Sequence, residues 1–190
     1  MRAFTISADA GTYQFCSEEC LEILNSLPRK QFFSKKGVKT FSEAGALDLF
    51  SGNFSVARQM VRFGCPWVLT FEWKRGADED LLDEKVRMQI VVLLRGGCFR
   101  TLGAAIICCS FSVAVTPPVR SSAFPRGLPC LTQNMASKVD EGNSHSDFLS
   151  LLLQICQEGG IFTGLRAQIP LGFSDWRVMQ NIDAPNLNRS

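Results

Sequence analysis

Apolar residues fall along the chain in short runs and helical stripes that alternate. Behind Ser17-Glu18-Glu19, a helix-start pattern with acids in the first turn, Cys20, Ile23, Leu24 and Leu27 recur at helical spacing until Pro28 ends the segment. Ala46 to Phe50 is a short apolar run that stops at Ser51-Gly52, and Ser55 to Phe63 follows as an amphipathic helix closed by Gly64. Trp67 to Phe71 is a second strand, ended by Glu72, and Lys74 to Glu79 reads as polar loop. A helix opens in Asp80–Lys85, carries Val86, Ile90, Leu93 and Leu94 on one side and closes at Gly96-Gly97. Ala104 to Cys109 is apolar on both faces, as a covered central strand is. Residues 113–143 carry prolines and read as a long loop. Asn143-Ser144 then cap a helix with Phe148, Leu151, Leu152 and Ile155 on one face, and Ile161-Phe162 starts another strand. After Thr163 the pattern stops.

Strand, helix, strand, helix, strand implies an α/β fold with a Rossmann-like, doubly wound, mainly parallel sheet, joined by right-handed crossovers. Three segments are expected: a helical and basic extension over 1–44, a main domain over 45–162 and an irregular tail over 163–190. Lys30 to Lys39 is basic, with Phe32, Phe33 and Phe41 interleaved. That stretch is either a solvated connector whose rings dock on the core or a contact for single-stranded nucleic acid.

Composition narrows the class. Hydrophobic residues make up 46% and charged residues 20% of 190, which marks a globular chain with one domain's worth of core. A net charge of +2 is too small to argue for nucleic acid by itself, which stays a possible partner. Eight cysteines follow an N-terminus with no signal-peptide core, so reduced thiols and an intracellular location, cytoplasmic or nuclear, are expected. With no Cys-x-x-Cys pair and one histidine, His145, no metal site is expected. His145 reads as exposed in a helix's first turn. Thr101 to Pro118, the longest apolar run without a charge, is broken by Gly103 and is too short and too polar at its edges to cross a membrane.

Ligands of such sheets bind at the carboxyl ends of strands. Gly52, Glu72 and the stretch Cys108–Ser112 are all expected at that edge. A glycine turn opening a helix offers free N–H groups, and an acid twenty residues later, at the end of the next strand, suits ribose hydroxyls.

Asp48-Leu49-Phe50-Ser51-Gly52 resembles the first motif of class I S-adenosylmethionine-dependent methyltransferases, in the form found in DNA cytosine-5 methyltransferases. Cys108-Cys109-Ser110-Phe111-Ser112 resembles that group's nucleophile motif. The resemblance implies S-adenosyl-L-methionine as cofactor, held by Asp48, Phe50, Ser51, Gly52 and Asn53, with Glu72 on its ribose and Asp83 near its adenine. It implies Cys108 as the thiolate that attacks C6 of a cytosine, and Ser112, Arg120 and Arg126 as substrate contacts. Cys108 also reads as a small core hydrophobe, and Arg120 and Arg126 as solvated loop cations.

The chain departs from the family pattern in three places. Phe54 stands where a second glycine is usual, Ile106-Ile107 stand where two prolines often precede the cysteine, and a Glu-Asn-Val or Glu-Asn-Pro element is missing near residue 160. Back-translating Thr163 to Phe173 and reading from each codon's third base permits Trp-Ala-Glu-Ser-Pro-Asp-Ser-Ser-Trp-Phe, close to the missing element. A frame change near residue 162, and a domain incomplete on its C-terminal side, are therefore expected. A non-catalytic remnant or binding module of the same fold is the alternative to an enzyme. A nicotinamide-binding domain is a third reading, with one glycine where three are usual.

Overall fold

A computed structural model describes residues 17–34, 41–106, 110–111 and 115–167. Cys16, Cys108, Cys109 and Ser112 lie outside the described residues. The described residues divide into two compact units, one within 17–105 and 144–166 and one within 106–143 and at 167.

Among the described residues, four α-helices, α1 (Glu18–Ser26), α2 (Ser55–Arg62), α3 (Glu84–Arg95) and α4 (Gln133–Gly159), accompany five strands. The strands are β1 (Phe32–Ser34), β2 (Gly45–Leu49), β3 (Trp67–Phe71), β4 (Phe99–Ile106) and β5 (Phe162–Ala167), in the sheet order β1-β3-β2-β4-β5. β2 runs parallel to both β3 and β4, and β1 adds an antiparallel edge beside β3. The fold is α/β with a mixed, mostly parallel sheet. The chain leaves β2 for β3 on one side and returns to β4 on the other, so the direction of winding reverses at β2.

Every residue of β2 and β3 is buried, which explains their unbroken apolar pattern. In register, Leu102, Leu47 and Leu69 make one fully buried row. Their neighbours Ala46 and Val68 alternate to the other face and meet Ala57 of α2, with Phe33, Phe54, Met60 and Val61 packed around them. Gly45 lies against Trp67, where a Cβ would overlap the indole ring, and Gly96 lies as closely against Cys20 of α1. Those contacts, more than turn conformation, demand glycine there. Ser17 caps α1 through its side chain, and Asp83 caps α3 by accepting from the N–H groups of Lys85 and Val86.

Four expectations need correction. β4 begins at Phe99, not Ala104, because Arg100 is exposed at the strand's start and Gly103 makes room for Met60. α4 begins at Gln133, ten residues before the expected Asn143-Ser144 cap. Those two side chains serve other partners: the Asn143 amide donates to the Arg126 carbonyl, and the Ser144 hydroxyl accepts from Arg87. The buried face of the same helix is Phe148, Leu149, Leu152, Ile155 and Cys156, while Leu151 is exposed. β5 carries the chain regularly through Ala167, past the point where the periodic pattern stops.

Phe32 and Phe33 form an edge strand. Phe32 packs on Phe41 and Trp67, so these rings belong to the core side of the alternatives for the basic stretch. Among the described residues no helix is long and apolar enough to cross a membrane.

Candidate functional site

The turn from β2 into α2 lies in the first unit, where the direction of winding reverses. Three of its residues take left-handed backbone: Phe50 at φ 56°, Gly52 at φ 52° and Phe54 at φ 64°. Two of the three carry a Cβ, so the turn holds strain that its surroundings must offset. They do so with hydrogen bonds. The Ser51 N–H donates to the Phe71 carbonyl at 3.2 Å and the Phe54 N–H to the Ser51 carbonyl at 2.9 Å. Asn53 Oδ1 accepts from the Ser55 N–H at 3.2 Å and from its hydroxyl, which fixes the first turn of α2.

Twenty residues on, Glu72 closes the turn. Its carboxylate Oε2 accepts the Gly52 N–H at 2.9 Å, while Oε1 has a long 3.5 Å contact from the Lys74 N–H. The sheet register brings these two together, since Leu49 pairs with Phe71 and the residues that follow both strands leave on one edge. Gly52 is exposed, and a Cβ added to it would meet nothing within 4 Å, so open space lies over the turn. The Phe54 ring does not lie across Gly52. It packs on Phe33 at 4.6 Å between centroids and under the Arg75 guanidinium at 4.3 Å.

Asp48 sits one strand position back, buried between Thr70 of β3 and Gly103 of β4. Phe50 is buried edge-on against His145 of α4, with centroids 5.1 Å apart. His145 is therefore a core residue, a correction to its expected exposure. Asp83 is exposed, and its Oδ1 serves as the cap of α3 at 2.7 Å from the Lys85 N–H.

The structure brings Asp48, Phe50, Ser51, Gly52, Asn53 and Glu72 to one edge of one unit. Arg120 and Arg126 belong to the second unit. All five donors of Arg120 find acceptors within that unit: Nε reaches the Ser110 carbonyl, Nη1 the Pro125 carbonyl and Asn143 Oδ1, and Nη2 the Ser110 hydroxyl and the Val139 carbonyl, at 2.6–3.0 Å. Its plane also lies 4.0 Å over Phe111. Burial among neutral acceptors lowers its pKa, with Arg126 acting in the same direction and Asp140 opposing it. This geometry makes Arg120 a clasp for its own unit, with no donor left over for a phosphate. Arg126 is exposed, and its carbonyl accepts from Asn143.

Two open cavities of the first unit, of about 510 and 960 Å³, lie at the other end of the sheet, and Arg100 lines both. Cys65 borders the smaller one; burial raises its pKa, so it is no activated thiol. Among the described residues no group of three His, Cys, Asp or Glu side chains could hold a metal ion.

Three residues at the turn escape sequence reasoning. Trp73 follows Glu72 and is 48% exposed. Arg75 and Glu79 form an ion pair behind the turn. All three fall in or beside a stretch that reads as polar loop. The one available hint is an aromatic next to the strand-ending acid. Comparison with known proteins adds no relative: no family model, curated protein or solved structure matches the chain.

Proposed function

We propose that the edge formed by the β2–α2 turn and the end of β3 binds S-adenosyl-L-methionine in a Rossmann-like fold of the class I methyltransferase type, with a cytosine in DNA as the methyl acceptor. The observation that supports this most is the buried Glu72 carboxylate held 2.9 Å from the N–H of the exposed Gly52 turn, with the exposed Trp73 indole next in sequence. A carboxylate so placed accepts from a ribose diol, the Gly52 turn admits the amino-acid end of the cofactor, and Trp73 offers a flat apolar face to a purine. When bound, the cofactor supplies an electrophilic methyl on its sulfonium. Cys108 is assigned the thiolate role by its motif: it would add to C6 of the cytosine and shift the electron pair to C5, C5 would take the methyl as the methyl–sulfur bond breaks and the neutral thioether departs, and loss of the C5 proton to a solvent base would restore the C5–C6 double bond and release the thiolate.

The second reading is a binding module that keeps the cofactor edge without catalysis. The internal engagement of every Arg120 donor favours it, because one of the two arginines expected at the nucleic acid is occupied within its own unit.

A thermal-shift titration with S-adenosyl-L-methionine tests the cofactor. The midpoint should climb with ligand concentration by mass action, and Glu72→Ala should abolish the climb. No shift of the wild-type chain at millimolar ligand rejects the proposal. Methyl transfer to DNA, measured beside Cys108→Ala, separates the enzyme from the binding module.

A further inference from the structure

Behind the turn, one guanidinium ties together three segments. Arg75 sends Nε to Glu79 Oε2 at 2.7 Å, Nη1 to the Ser51 hydroxyl at 3.0 Å and Nη2 to the Thr70 hydroxyl at 3.0 Å. Glu79, wholly buried, turns the same Oε2 to the Glu72 backbone N–H at 3.0 Å. Lys30 lies 3.6 Å from its other oxygen. The Ser51 hydroxyl on one side of the turn and the Glu72 backbone on the other are thus held by a single ion pair.

We propose that Arg75 and Glu79 are positioning residues: they fix the Glu72 carboxylate against the Gly52 N–H and so set the selection for a ribose diol. The proposal rests on the cofactor reading above. Glu72, itself buried, directs Oε2 to Gly52, while Oε1 carries only the 3.5 Å contact from Lys74, so Oε1 is the oxygen with capacity left to accept from a diol. Its direction follows from where the Glu72 backbone is pinned, and Glu79 pins it. A displacement of about 1 Å at such a contact is enough to lose it. A lysine at 75 has no planar fork and cannot serve Ser51, Thr70 and Glu79 together.

Arg75→Lys and Glu79→Gln in the full chain test this by two measurements. The first is amide exchange of Gly52 without ligand, referenced to the Leu69 amide in β3. Gly52 should exchange about tenfold faster relative to Leu69 in either variant, the scale of one lost hydrogen bond. The second is the ratio of dissociation constants for S-adenosylhomocysteine and its 2′-deoxy analogue. Wild type should prefer the ribose form by about tenfold, and the variants should bind both forms nearly equally. A merely structural pair would lower the melting midpoint yet leave both ratios unchanged, and that result overturns the proposal. Binding of neither ligand by wild type rejects the cofactor reading and the diol selection with it, while Gly52 exchange still decides whether the pair orients Glu72. Ser51→Ala removes one hydroxyl only and repeats both measurements should a buried substitution unfold the chain.

Discussion

Arg75 in the first unit and Arg120 in the second solve the same problem in different ways. Each guanidinium lies over an aromatic ring and joins segments distant in sequence. Arg75 meets a buried carboxylate and two hydroxyls, and the network ends at an exposed glycine turn, with an exposed tryptophan next in sequence to Glu72. Arg120 meets three carbonyls, a hydroxyl and an amide oxygen, with no carboxylate and no donor to spare. A site needs groups held from behind and open in front, and the first network has that form. The second is closed on itself, which is the form of a structural clasp.

The largest expected effect is on the carboxylate that distinguishes the two. Glu79→Ala leaves Arg75 without its ion-pair partner and should cost about 3 kcal/mol in urea unfolding of the first unit. Arg120→Ala strands several neutral acceptors, some of them open to water, and should cost about 2 kcal/mol. An equal loss from both substitutions would break the distinction drawn from the charges. Gly142→Ala sharpens the view of the clasp, because the new Cβ would overlap the Ser110 hydroxyl and lie 3.2 Å from Arg120 Nη2. Overpacking there should cost about 1–2 kcal/mol, read from the same unfolding curves.

The smallest effect is one of pH and should be confined to the first unit. Burial pushes the Cys156 thiol up to about 11 from 9.0, and burial raises Cys65 in the same direction. The folded state favours the neutral thiol, so its contribution is complete below about pH 9 and is lost as pH rises toward 11. Unfolding midpoints should therefore fall over that alkaline window, and Cys156→Ala should flatten the fall. An unchanged slope in that variant would remove Cys156 as the cause.

Much of the local structure is legible in the residues themselves. Ser17, Asp83 and Gly64 mark helix ends because capping and left-handed backbone are short-range chemistry. β2 and β3 show as unbroken apolar runs because both of their faces are covered. Local pattern misleads where a side chain's partner is remote. Asn143 and Ser144 look like a cap but serve Arg120, Arg126 and Arg87, so α4 runs on through them. β1 is three residues beside a basic stretch, and its strand identity comes from pairing with β3 some 35 positions later.

Sequence alone determined the Ser51-Gly52 turn, the helix that follows it and an acid at the end of the next strand, since each depends on neighbours within a few residues. Only the tertiary structure decided that Glu72 faces Gly52, that Arg75 and Glu79 brace them, that His145 is core and that Arg120 is fully engaged. Those outcomes depend on strand register and on remote contacts: Gly52 with Glu72 across 20 positions, Ser51 with Arg75 across 24, and Phe50 with His145 on another element. No periodicity within a single element encodes such distances.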